Sequence, residues 1–145
     1  MDDVIRIGEV SSVDYKNGMV SVTYEDRDDA VTDLLPCLSL DDEYKMPAVG
    51  DEVVCLHFPN GMAAGICLGK YWNKDNRSEL TGKDVFRKEL ARAAGKAYIQ
   101  YKNGTITIHA DNIILDGNVS TDKDVKAGGI SLKTQGVHGG TSGPR

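Results

Sequence analysis

Hydrophobic and polar positions alternate along the first part of the chain. RIGEVSSVD (6–14) and MVSVTY (19–24) carry β-branched residues interspersed with polar ones. In MVSVTY they have the period of two that is typical of half-buried β-strands. Between these segments lies the pair Asn17-Gly18. Asn-Gly is a strong hairpin signal, because both residue types accept a positive φ. The pattern therefore predicts a β-hairpin.

Three more segments before residue 73 predict strands. LLPCLSL (34–40) contains a proline, which suits only an edge strand or a bulge. GDEVVCLHF (50–58) is apolar enough to be a buried strand, and MAAGICLGKYW (62–72) follows a turn. The acidic stretch EDRDD (25–29) predicts a solvated loop. Five strands without an intervening helix predict a small closed barrel of OB type, since closure removes exposed strand edges.

The segment 73–96 is a linker with two possible structures at residues 84–94. Val85, Phe86 and Leu90 would share one face of a helix, and the segment contains good helix formers. The same residues also alternate as they would in a strand. The pattern alone leaves both structures open.

From residue 97 onward the sequence becomes repetitive. Brief strand-like pieces alternate with Asn-, Asp- and Gly-containing turns. The pieces are AYIQY (97–101), TITIHA (105–110), NIILDG (112–117), NVST (118–121), KDVKAG (123–128) and GISLK (129–133). A stack of such pieces predicts a β-helix in which each rung buries little on its own.

Energetics favour an oligomer for this second part. Ordering the backbone of about 50 residues costs on the order of 50–100 kcal/mol. Residues 96–145 contain eleven Ile, Leu and Val residues, whose full burial stabilises by only about 30 kcal/mol. Several chains wound together would supply both strand partners and burial. We therefore expect an obligate oligomer, and three chains suit a narrow prism with one sheet on each side.

Composition narrows the possible chemistry. The cysteines Cys37, Cys55 and Cys67 match no zinc-binding spacing, and we expect buried free thiols. No run of about 18 apolar residues occurs, which predicts no transmembrane helix. The opening MDDVIRIGEV is acidic where a signal peptide is basic, which predicts residence in the cytoplasm.

Charge separates the two parts of the chain. Residues 1–72 have 14 acidic and 5 basic residues, net −9, and residues 73–145 have 8 acidic and 12 basic residues, net +4. An OB-type module that binds single-stranded nucleic acid needs a basic groove with exposed aromatics, so we expect no nucleic acid. A carbohydrate- or nucleic-acid-binding OB module remains the alternative function. We expect no enzymatic activity, because no pair of catalytic carboxylates in a cleft is apparent.

Three stretches resemble the central spike of contractile phage tails, the baseplate assembly protein V family. RIGEVSSVDYKNGMVSVTY is similar to the family's opening hairpin. MPAVGDEVVCLHFPNGMAAGICLGKYWN is similar to its P-x-x-G-D/E-x-V…G-x-x-L-G-x-x-Y/W-N segment. GNVSTDKDVKAGGISLKTQGVHGG is similar to the end of its needle and tip.

The resemblance implies an all-β homotrimer with four parts. An N-terminal OB-fold barrel (1–72) is followed by a linker (73–96), an intertwined trimeric β-helix needle (97–128) and a tapered C-terminal tip (129–145). It also favours a strand at 84–94. It implies a structural spike that plugs the tail tube, contacts a tail hub or baseplate protein, and pierces the target cell envelope on contraction. Such a spike is made in the bacterial cytoplasm, assembled into a virion or tail-like bacteriocin particle, and released by lysis.

The resemblance also implies a metal at the tip. Family members commonly carry His-x-His before glycines, and six imidazoles from three chains hold an iron ion. Here Gly136 stands at the first histidine position and His138 at the second. Three copies of His138 would still offer three imidazoles to iron or zinc. Glycine and proline would shape the tip, because glycine permits close backbone approach; they are Gly136, Gly139, Gly140, Gly143 and Pro144.

Overall fold

A computed structural model describes residues 4–59 and 64–134. Within these ranges the chain is predominantly β, with antiparallel sheets, as the sequence predicts. Two compact units divide the chain, Met1–His109 and Ala110–Arg145. None of the described residues belongs to a helix long and apolar enough to cross a membrane.

The first sheet contains six strands in the N-terminal unit. They are β1 (Ile5–Asp14), β2 (Met19–Tyr24), β3 (Ala30–Val31), β4 (Leu35–Pro36), β5 (Glu52–His57) and β6 (Gly65–Lys70). The order is β3-β2-β1-β5-β6, and β4 also pairs with β2. The acidic stretch forms a 3-10 helix at Glu25–Arg27, and its four carboxylate residues are exposed, as expected for a solvated loop.

Strand β1 is long enough to pair with two neighbours. Its first half pairs with β5 from Ile5 to Glu9, and its second half pairs with β2 from Glu9 to Asp14. After β4, Cys37 bridges Cys67 of β6 in parallel orientation, and Leu38 N donates to Cys67 O at 2.8 Å. The strand pairings therefore form a ring that runs from β1 through β2, β4, β6 and β5 back to β1.

The core of this sheet is formed by the residues that alternate inward. The buried apolar side chains are Val10, Val20, Val22, Tyr24, Leu35, Val53, Cys55 and Cys67. Gly8 lies against this core, and a Cβ there would come within 2.6 Å of Thr23 O and of the Val22 and Tyr24 side chains. The predicted buried free thiols are confirmed for Cys55 and Cys67, while Cys37 is a half-buried free thiol.

The second sheet of the N-terminal unit has three strands. They are β7 (Phe86–Glu89), β8 (Tyr98–Lys102) and β9 (Thr105–His109), paired antiparallel in this order. The open choice at 84–94 is thus settled in favour of a strand. The predicted turn between β8 and β9 is confirmed, because Asn103 and Gly104 both have positive φ, at 49° and 80°. This is the backbone that a two-residue hairpin requires.

The described part of the C-terminal unit, residues 110–134, has few paired strands. Its strands β10 (Lys126–Ala127) and β11 (Ile130–Ser131) form a short hairpin, extended by the 2.7 Å hydrogen bond from Leu132 N to Val125 O. Residues 112–121, all within the described part, form no strand, although the sequence predicts two pieces there. A strand needs a partner for its backbone N–H and C=O groups, and these residues have none among the described parts of this single chain.

Candidate functional site

A tyrosine, a histidine and an arginine meet in the core of the N-terminal unit. The Tyr24 hydroxyl lies 2.6 Å from His57 Nε2, and the two rings meet edge to face. The guanidinium of Arg6 lies over the Tyr24 ring, 4.4 Å from its centroid, and forms an ion pair with Asp26. Arg6 and His57 are as buried as the apolar core around them. The contacts of this cluster connect the end of β2 with the start of β1 and the end of β5.

Burial and mutual hydrogen bonds shift the thiol pKa values of the three free cysteines in this unit. A hydrogen bond with Cys67, together with burial, raises the pKa of Cys55. Its hydrogen bond with Cys37 and its burial raise the pKa of Cys67 to about 11. Only Cys37 has a lowered pKa, because Cys67 donates to it. His57 Nε2 contacts Tyr24, so the geometry pairs this imidazole with a phenol rather than with a thiol nucleophile.

The predicted tip residues lie outside the described residues. These are His138, the proposed metal ligand, and the tip-forming Gly136, Gly139, Gly140, Gly143 and Pro144. Within residues 4–59 and 64–134, no group of three or more His, Cys, Asp and Glu side chains is placed to hold a metal ion. His57 and His109 lie on β5 and β9, as ordinary strand residues.

One face of the second sheet is polar and internally bonded. The Arg87 guanidinium lies 3.5 Å from the centroid of the Tyr98 ring, which stacks on His109 at 5.1 Å. Arg87 also donates to Gln100 Oε1 at 2.7 Å and pairs with Glu89. The side chains of this face therefore satisfy one another.

The opposite face of the same sheet is mainly apolar, and the side chains of its outer strands are exposed. The strand register places Phe86 opposite Tyr101 and Tyr101 opposite Ile106, with Ile99 opposite Ile108. We call these five residues the apolar sheet face; Lys88 shares the face at its edge. Phe86 is 57% exposed, Ile106 70% and Ile108 54%. Alternation of Ile106 and Ile108 signals this face in the sequence, but Phe86 joins it only once β7 is known to be a strand.

The C-terminal unit also exposes its apolar side chains. No residue between 110 and 134 is buried. The large aliphatic side chains within residues 110–134 are all at least 40% exposed. We call them the tail aliphatic set: Ile113, Ile114, Leu115, Val119, Val125, Ile130 and Leu132. The backbone is nevertheless held by hydrogen bonds at the β10–β11 hairpin and from Lys133 N to Asp124 Oδ1 at 3.0 Å.

Covering these two apolar surfaces with another chain would be energetically favourable. Contiguous exposed apolar patches on a monomer mark interaction sites. Completing the burial of the seven side chains of the tail aliphatic set would stabilise an assembly by roughly 6–13 kcal/mol per chain. Association of rigid partners costs on the order of 4–15 kcal/mol. The gain is of the right size for assembly, and the apolar sheet face adds to it.

In comparisons with known proteins, no family model matches the chain and no curated protein matches it.

Proposed function

We propose that this chain is the structural central spike of a contractile tail or tail-like particle, and that it works as an intertwined homotrimer. One observation carries the proposal. The whole described part of the C-terminal unit, residues 110–134, has no buried residue and exposes seven large aliphatic side chains. A segment with this composition gains a core only from other chains, and the three-chain needle supplies one.

The N-terminal unit supports an OB-type barrel as the collar of the spike. A long first strand that pairs with two neighbours, and a parallel closure between the segment after β4 and β6, are the connections that such a barrel uses. Strand β3 is an additional short edge strand. The collar would sit against the tail hub or baseplate protein.

The needle would extend over residues 97–128 as a β-helix of three chains. In this arrangement, neighbouring chains pair with residues 112–121, which form no strand in the single chain. Their aliphatic side chains would then face the interior of the prism. Interwound chains unfold only together, which gives the high kinetic stability that a mechanical piercing device needs.

The tip over residues 129–145 would taper to the point that enters the target cell envelope. Its glycines Gly136, Gly139, Gly140 and Gly143, together with His138, lie outside the described residues. A metal ion, iron or zinc, held by three copies of His138 therefore stays a prediction of the sequence.

The oligomeric state of the full chain tests this function. Sedimentation equilibrium should give about 47 kDa, three times the chain mass of 15.7 kDa. The Leu115→Asp variant should lower that mass, because it places a carboxylate where the prism interior is proposed. Asn118→Asp introduces the same charge at another exposed position of the same segment, outside the tail aliphatic set, and serves as the control. A stable 15.7 kDa species of the unaltered chain at micromolar concentration would overturn the proposal.

A further inference from the structure

A cleft of about 690 Å³ lies within the N-terminal unit. It is bordered by the loop between β4 and β5, by the end of β6 with the residues after it, and by β7. Side chains that define its character are Leu40, Lys45, Lys70, Trp72, Lys88 and Leu90. Neither the trimer nor the barrel assigns a role to this cleft.

Cations are concentrated in the cleft. Lys88 pairs with Glu43 at 3.2 Å, and Arg92 pairs with Asp51 through two hydrogen bonds of 2.7 and 2.9 Å. Lys45 and Lys70 form no ion pair with any described residue. Burial, followed by the repulsion of Lys70, Lys88 and Arg92, lowers the pKa of Lys45. An anion placed between Lys45 and Lys70 would relieve this repulsion.

The positive charge of the cleft contrasts with the net negative charge of the first 72 residues. Only five basic residues occur among the first 72, against 14 acidic ones, and two of those five are Lys45 and Lys70. The second cleft wall adds Lys88 and Arg92 from the β7 region. A local cationic site on an acidic chain attracts anions selectively, because the surrounding surface repels them.

Apolar side chains lie beside these cations. Leu40 is 65% exposed, Trp72 68% and Leu90 48%, and all three line the cleft. Three carboxylate residues, Glu43, Asp75 and Glu89, also line the cleft and interrupt its cationic surface. A ligand that alternates isolated negative charges with apolar groups fits this surface better than a nucleic acid does.

We propose that the cleft binds an acidic, partly apolar peptide segment of a partner protein. Carboxylates of the segment would contact Lys45 and Lys70, and its apolar side chains would pack on Trp72, Leu40 and Leu90. The proposal goes beyond the spike function and does not depend on the trimer, since every lining residue belongs to the N-terminal unit.

Trp72 provides the readout, because it is the chain's single tryptophan. The probe is a synthetic peptide of about twelve residues in repeats of Glu-Glu-Leu, added to the full-length protein at low salt. A second peptide with Gln in place of Glu is the matched probe. We expect a saturable change in Trp72 emission with the acidic peptide, at least about tenfold weaker binding of the Gln peptide, and weaker binding at higher salt.

Two pairs of substitutions distinguish binding at the cleft from a general effect of net charge. Lys45→Glu with Lys70→Glu should weaken the acidic peptide by at least about tenfold, or about 1.4 kcal/mol. Lys16→Glu with Lys102→Glu makes the same change in net charge outside the cleft and should alter the affinity less than about twofold. Melting temperature and circular dichroism check that each variant is folded.

Three results would overturn the proposal. They are an emission signal that does not saturate, equal weakening by both variant pairs, and tighter binding of an oligothymidylate of similar length than of the acidic peptide. The last result would identify a nucleic-acid site instead. Trp72 emission reports on the cleft in a monomer or a trimer, so this outcome is separate from the mass measurement.

Discussion

At the scale of single residues, Tyr24 forms a buried polar contact in the core. Its hydroxyl is hydrogen-bonded to His57 Nε2 at 2.6 Å, and both side chains are almost fully buried. Burial raises the pKa of Tyr24, so the phenol stays neutral throughout the physiological range. Among the described residues, His57 Nδ1 has no hydrogen-bond partner. The Tyr24 hydroxyl is therefore the hydrogen-bond partner that the described residues offer the His57 imidazole.

The Tyr24→Phe variant should be destabilised by about 1–3 kcal/mol. Loss of the hydroxyl leaves His57 Nε2 buried without a partner, and an unsatisfied buried group costs its full desolvation energy. Urea denaturation at neutral pH measures the change. Tyr44→Phe is the control, because the Tyr44 hydroxyl donates to Tyr15 O at 2.9 Å on the exposed surface. Equal effects of the two substitutions would contradict the assignment.

The sequence predicts part of this cluster and not the rest. Cys55 and His57 alternate on an apolar run, so their shared inward face follows from the strand period. The contact between Tyr24 and His57 joins residues 33 apart in sequence. It depends on the pairing of β1 with both β2 and β5, which no local pattern encodes.

At the scale of elements, the ion pair between Arg92 and Asp51 connects segments next to the two sheets of the N-terminal unit. Arg92 follows β7, and Asp51 precedes β5. Burial pushes the pKa of Asp51 upward, but hydrogen bonds from Arg92 and from Ala48 N outweigh it, and the pKa is lowered. A carboxylate with a lowered folded pKa stabilises the protein above its unfolded pKa of about 3.9, and this contribution is lost as the pH falls through the folded value.

Asp51→Asn should therefore destabilise the protein at pH 7 and much less at low pH. The expected loss is about 0.5–1 kcal/mol at pH 7, since Arg92 is 61% exposed and solvent screens the pair. Urea denaturation at pH 7 and at about pH 3 measures both values. Asp33→Asn, at an exposed position without an ion pair among the described residues, is the control. A loss that stays constant between the two pH values would count against this linkage.

Strand β9 allows a direct comparison of the two faces of its sheet. Ile106 lies on the apolar sheet face and Thr105 on the opposite face, and both are exposed in the single chain. Ile106→Glu should weaken self-association at least about tenfold, because a charge would be buried in the interface. Thr105→Glu should leave association nearly unchanged. Sedimentation velocity over a dilution series measures both, and similar behaviour of the two variants would contradict an interface on this face.

Local patterns predict elements well where the partner strand is close in sequence. The β1–β2 and β8–β9 hairpins follow from alternation and from Asn-Gly turns, although at the first turn only Gly18 of the pair has a positive φ. The segment around Phe86 stays ambiguous by pattern, and pairing with β8 decides it. Residues 112–121 show the converse, because their strand-like pattern finds no partner among the described residues.

For the whole molecule, the sequence predicts the all-β fold class but not which residues meet at the surface. Composition and turn spacing favour an all-β chain, and the strands bear this out. The apolar sheet face and the cationic cleft emerge only in three dimensions, because each collects residues from strands or loops far apart in sequence. Ile106, Ile114 and Leu115 are exposed in the single chain. The sequence predicts that one chain alone cannot bury the apolar residues of its second part.

Assembly of the whole molecule should make its stability depend on concentration. If unfolding and dissociation of three chains are coupled, the melting temperature should rise by about 3 °C for each tenfold increase in protein concentration. Slow calorimetric scans over a hundredfold range measure this slope, with slow heating because interwound chains exchange slowly. The Ile106→Glu variant, expected to dissociate on dilution, should lose the slope there, since unfolding of a monomer is independent of concentration. The same melting temperature at all concentrations for the unaltered chain would mean that its exposed aliphatic side chains are not buried by self-association.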